Sequence, residues 1–95
     1  MKQLTYRIED TNGMHARPAG LLATFSKRFD SEIRVRANGK EADAKRLLSL
    51  MSLGASHGTL LEITVTGEDE QSAADALSEF LNNQMYKSEG EHRDA

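Results

Sequence analysis

His15 and Arg17 stand one residue apart in the run Gly13-Met14-His15-Ala16-Arg17-Pro18-Ala19 and bring together a nucleophile and a permanent cation. An imidazole can attack phosphorus with a ring-nitrogen lone pair, and a guanidinium binds phosphate oxygens through a planar fork of N–H donors. Pro18 suits the first turn of a helix, where its missing N–H loses no helical bond. A helix starting near Ala16 makes His15 its N-cap. The opening N–H groups and the helix dipole then form an anion site around Ala16 and Arg17. Positive potential there favours the neutral, attacking imidazole and also stabilises a bound phosphoryl group. A lone histidine would read as a helix cap beside a surface arginine. Turn glycine, histidine, arginine and early proline converging on one anion site favour function instead.

The surrounding pattern supplies elements to hold that run. Leu4, Tyr6 and Ile8 alternate with polar residues as in a half-buried strand, and Thr11-Asn12-Gly13 is a turn signal. Residues 16–29 carry a helical stripe of Ala19, Leu22, Ala23 and Ser26, closed by Phe29. Ile33, Val35 and Ala37 alternate up to Asn38-Gly39, a dipeptide that favours a tight hairpin, so residues 40–44 are expected to return antiparallel. Residues 46–53 read as a short helix stopped by Gly54. Leu61, Ile63 and Val65 mark a last strand. Asp69 is placed to cap a final helix with Ala73, Ala74, Leu77, Phe80 and Leu81 on one side. The order β-α-β-β-α-β-α predicts a two-layer α+β fold with helices on one face of an antiparallel sheet. One domain is expected over residues 1–86, followed by a frayed polar tail over 87–95.

Composition narrows the function. Of 95 residues, 12 are basic and 15 acidic, a net charge of −3 that argues against general nucleic-acid binding. There is no cysteine, so disulfides and thiolate metal sites are excluded. No apolar run approaches the roughly 20 residues of a membrane helix, and the expectation is a cytoplasmic protein. A phosphate loop of the form G-x-x-x-x-G-K-[ST] is missing, so a self-contained kinase or phosphatase ranks last. His57 and His92 show no metal-ligand spacing.

The stretch GMHARPA resembles the active-site signature of the HPr family, the histidine-containing phosphocarriers of the phosphoenolpyruvate-dependent sugar phosphotransferase system. The resemblance runs across about residues 2–85 and includes the Asn38-Gly39 hairpin, the segment MSLGASHG from Met51 to Gly58, and GEDEQ from Gly67. It implies an open-faced β-sandwich in which three helices cover one face of a four-stranded antiparallel sheet. It also implies that His15 accepts a phosphoryl group on Nδ1 from enzyme I and passes it to enzyme IIA proteins or domains. Arg17 and the backbone amides around Ala16 and Arg17 would hold that group. No cofactor or metal is expected, and the carrier would be transiently phosphorylated, not a stand-alone enzyme. Monomer is the default.

In relatives the short second helix offers an apolar patch to partners. Leu47, Leu48 and Met51 are therefore assigned to a partner surface, framed by Lys27, Lys45 and Arg46, with Leu50 and Leu53 turned inward. Arg46 departs from the many Gram-positive members that carry a regulatory serine there. It cannot accept that phosphate, and no such regulation is expected. Two other readings are a carrier of the nitrogen-related branch, with which Met14 is compatible, and a non-catalytic binding module. The intact His15, Arg17 and Pro18 count against the module.

Overall fold

The computed structural model describes residues 1–85, so the expected tail at 87–95 lies outside the described residues. Period-two alternation gives four strands: β1 (Lys2–Arg7), β2 (Glu32–Ala37), β3 (Lys40–Asp43) and β4 (Leu60–Thr66). Helical spacing gives α1 (Ala16–Ser26), α2 (Leu47–Met51) and α3 (Glu70–Phe80), the last running into a π-helical turn over Leu81–Met85. All strand pairs are antiparallel, in the order β1-β4-β2-β3. The element order and the open antiparallel sheet are those expected from the sequence.

Register follows from burial. Ile63 of β4 lies opposite Leu4 of β1 and Val35 of β2, and Val35 opposes Ala42 of β3. This places one apolar row on the helix side, because a one-residue slip would turn the whole row to solvent. The other face is polar: Glu62 faces Thr5 on one side and Arg36 on the other. The hairpin between β2 and β3 turns on Asn38 (φ 55°) and Gly39 (φ 75°). Both take the positive φ of a type I′ turn, whose twist matches that of the strands.

The helices complete the core. Ala19, Leu22, Ala23 and Ser26 of α1 are buried, as are Ala73, Ala74, Leu77 and Phe80 of α3. Phe25 stacks on Phe80 with centroids 4.4 Å apart, tying α1 to α3. Two helix ends fall short of the sequence pattern. After Ser26 the bonds Arg28 N–H to Phe25 O and Phe29 N–H to Ser26 O are of the i→i+3 kind. The stripe continues to Phe29 while the helix tightens, as chain ends do when their last carbonyls seek partners. The same bonding at Leu53 and Gly54 ends α2 at Met51.

Asp69 does not cap α3 with its side chain, contrary to expectation. Its φ of −99° and ψ of 24° lie outside the extended geometry a capping side chain needs. Its carboxylate instead accepts the Asp30 amide at 2.9 Å, the Ser31 amide at 2.9 Å and the Ser31 hydroxyl. The Gly67 amide is taken by Glu70 Oε1 at 3.0 Å. The Ser31 hydroxyl, then the Asp30 amide, hold the Asp69 carboxyl below its ordinary pKa.

A group depressed in this way stabilises the fold above its unfolded pKa and loses that contribution as pH falls through the lower folded value. Asp69→Asn should therefore flatten the fall in stability below about pH 4. Urea unfolding across that range checks this, and an unchanged acid limb would refute it. Ser26 Oγ, fully buried, has no hydrogen-bond partner among the described residues. Ser26→Ala removes that unpaired hydroxyl and should stabilise the fold by about 1 kcal/mol. Thermal melting should show the midpoint rising by ~4 °C or more, and a lower midpoint would count against it.

Candidate functional site

The candidate site is built where β1 hands over to α1. The backbone pairing of β1 with β4 continues past Arg7: Ile8 N–H donates to Thr59 O at 3.0 Å, and Gly58 N–H donates to Ile8 O at 2.9 Å. The chain then turns. Asp10 Oδ1 accepts the Asn12 amide at 2.8 Å, and Asp10 O accepts the Gly13 amide at 3.0 Å. An aspartate side chain taking the amide two residues on is an Asx turn. Met14 N–H then donates to Ala55 O at 2.9 Å, and the Met14 side chain enters the core. These contacts fix the chain on both sides of the turn, and His15 is the next residue out.

Gly13 makes this approach possible. Its φ is +71°, and a Cβ there would meet Ala55 O at 2.5 Å and Ser56 Cα at 2.8 Å. Neither is a flexible side-chain end, so a larger residue would force the two segments apart.

His15 has extended backbone (φ −89°, ψ −171°) at the N-cap of α1, and its ring does not cap the helix. The first helical bond is Ala19 N–H to His15 O at 3.0 Å. The amides of Ala16 and Arg17 precede that bond, and Pro18 has none to offer. Both Ala16 and Arg17 are exposed in the first turn, next to the partly exposed His15.

Asp10 is the residue that the sequence reading missed. Its Oδ2 lies 3.1 Å from His15 Nε2, with the His15 side chain one-third exposed and the Asp10 side chain 11% exposed. A carboxylate only accepts, so Nε2–H is the donor, and the neutral ring then keeps its lone pair on Nδ1. The available signal was an aspartate opening a turn that ends in Asn12-Gly13. Nothing in the spacing showed that its second oxygen would reach the ring. The imidazole thus meets a carboxylate as well as the helix end considered from the sequence.

The assigned partner surface is less uniform. Leu47, Leu48 and Met51 are 39%, 78% and 37% exposed, while Leu50 and Leu53 are buried. Positions 47, 48 and 51 share a helix face, and α2 packs beside α1. Arg46 is exposed at the N-cap of α2. Lys45 is half-buried, its Nζ donating to Phe29 O at 2.7 Å. Lys27 is exposed at the C-terminal end of α1, about 16 Å from the His15 end by helix rise. The Lys45–Phe29 contact lies two residues beyond Lys27, at the end of α1 away from His15.

A cavity of about 440 Å³ lies by the β2–β3 hairpin, lined by residues that include Arg36, Asn38, Lys40 and Glu62. It contains none of the candidate site residues. Among the described residues no three His, Cys, Asp or Glu side chains are grouped to hold a metal ion, and no helix is long and apolar enough to cross a membrane.

Residues 2–83 match the family model described as "PTS HPr component phosphorylation site". The chain is 43% identical over 81 residues to the phosphocarrier protein HPr of Buchnera aphidicola subsp. Baizongia pistaciae, spanning 85% of this chain and 95% of that protein. Its fold is similar to the crystal structure of HPr-C-His from Thermoanaerobacter tengcongensis, with TM-score 0.81, 35% identity and coverage of 90% and 96% of the two chains. It is also similar to the swapped dimer of the catabolite repression protein Crh of Bacillus subtilis, with TM-score 0.68, 34% identity and coverage of 90% and 98%.

Gly13→Ala should lower stability by about 1–3 kcal/mol, because the new Cβ meets strained φ and fixed backbone together. The check is the thermal midpoint, expected to fall by about 4 °C or more. A midpoint within about 1 °C of the unsubstituted chain would show that the Gly13–Ala55 contact yields without cost.

Proposed function

The chain belongs to the HPr phosphocarrier family of the phosphotransferase system, and from that premise we propose that His15 receives a phosphoryl group from enzyme I and delivers it to an enzyme IIA protein or domain. The observation that carries this reading is the presentation of His15: at a helix N-terminus, one-third exposed, with Nε2 engaged by Asp10 and Nδ1 holding the lone pair. The donor is another phosphoprotein, and the chain contributes positioning and electrostatics to the exchange of one P–N bond for another.

On this reading, the amides around Ala16 and Arg17 and the Arg17 guanidinium take the phosphoryl oxygens. Leu47, Leu48 and Met51 meet the partner's apolar surface, with Arg46 at the edge of that contact. The carrier works in the cytoplasm as a monomer and needs no cofactor. Arg46 at the N-cap of α2 leaves no hydroxyl at the position of the regulatory serine in relatives, so serine-kinase control of that kind is absent.

Met14 does not help to choose the nitrogen-related branch over the sugar branch. Its side chain is buried, so a partner has no contact with it through which to discriminate. The choice rests on which enzyme IIA accepts the phosphoryl group.

Incubation with phosphoenolpyruvate, magnesium and enzyme I should place one acid-labile phosphoryl group on the chain. His15→Ala should abolish it, and a sugar-specific enzyme IIA should remove it from the unsubstituted chain. Label that survives His15→Ala would defeat the assignment of His15. Transfer only to a nitrogen-branch acceptor would move the protein to that branch.

A further inference from the structure

Asp10 both holds the turn before α1 and faces the His15 ring, through three separate polar contacts. Its backbone carbonyl holds Gly13, its Oδ1 holds the Asn12 amide, and its Oδ2 faces His15 Nε2 at 3.1 Å. The turn contacts leave the carboxylate little freedom, so Oδ2 is a fixed acceptor placed before the ring.

We propose that Asp10 is a positioning residue for phosphoryl transfer, holding one proton on His15 Nε2 through both loading and unloading. This rests on the phosphocarrier reading. In loading, the Nδ1 lone pair forms the new N–P bond while the P–N bond of the donor's phosphohistidine breaks, its electron pair returning to the donor nitrogen. No proton leaves His15. The ring now carries a formal positive charge beside the phosphoryl group, and the Asp10 carboxylate lies against the protonated edge of the ring to offset it. In unloading, the acceptor's nitrogen pair attacks phosphorus, the Nδ1–P bond breaks, and its electrons return to Nδ1. Because Nε2 keeps its proton, the leaving group is a neutral imidazole and not an imidazolate anion.

The same geometry supplies a substitution that separates this role from support of the turn. In Asp10→Asn the amide oxygen can still accept the Asn12 N–H, which directs the amide NH2 towards Nε2. A donor there requires Nε2 to accept, so the ring proton moves to Nδ1 and occupies the attacking position. Asp10→Ala removes the directing group altogether.

The test uses the full chain labelled with nitrogen-15 in histidine, and ring-nitrogen chemical shifts report the tautomer without any partner. The unsubstituted chain should show Nε2 as the protonated nitrogen of His15. Asp10→Ala should give a mixture, and Asp10→Asn should favour the proton on Nδ1. Rapid-quench phosphorylation by enzyme I and phosphoenolpyruvate should slow by about 10- to 100-fold in Asp10→Asn, the scale of one charge-assisted hydrogen bond. Its backbone amide spectrum should keep the β1–β4 pairing. An unchanged tautomer in both variants, or an unchanged rate in Asp10→Asn, would overturn the role of Asp10 alone. If the unsubstituted chain takes no label, the carrier reading fails and this proposal falls with it.

Discussion

The hydrogen bond from Met14 N–H to Ala55 O joins two stretches that every other feature of the site relies on. It lies at the end of a seam that begins as the β1–β4 ladder and continues through Ile8 and Thr59. On one side of the seam is the turn held by Asp10, and on the other is the loop leaving α2. Core packing of Ala19, Leu22 and Ala23 holds α1 on the sheet, and the seam fixes the turn that leads into it and so the place of His15. Gly13 permits the seam because its missing side chain lets the two backbones meet. The chemistry of His15 thus depends on backbone geometry before it depends on any charge.

Much of this was legible in the residues. The hairpin was written in Asn38-Gly39, since few other dipeptides adopt positive φ twice. The buried stripe of α1 followed from its spacing, as did the division of α2 into buried Leu50 and exposed Leu48. His15, Arg17 and Pro18 were visible because a helix start imposes local rules on neighbouring positions. What escaped were side chains whose partners lie outside their own element. Asp69 has the composition of a cap but spends its oxygens on Asp30 and Ser31, 39 and 38 positions away in sequence. Asp10 has the composition of a turn former, and only the folded backbone shows its second oxygen facing the imidazole.

Charge shows a similar separation between type and use. Lys45 ends on the Phe29 carbonyl and helps close the chain after α1, so its ammonium is already engaged in the folded molecule. Arg34 pairs with Glu41 at 2.8 Å across the β2–β3 hairpin, on the sheet face that bears no helix. Exposed pairs of that kind add little stability. Sequence shows how many cations there are, whereas the contacts show which of them a partner would find uncommitted.

The pairing of β1 with β4 also orders events in time. These strands lie near opposite ends of the described chain, so their contact closes a long loop and forms later than the local β2–β3 hairpin. The turn from Asp10 to Gly13 precedes almost everything else in the sequence, but its flanking supports at Ala55 and Thr59 are made about 40 to 50 residues later. During synthesis, His15 therefore leaves the ribosome early as an ordinary solvated side chain. It acquires its N-cap setting only when the last strand closes the sheet. A chain that ends before β4 therefore carries the histidine without the backbone contacts that set its place at the start of α1.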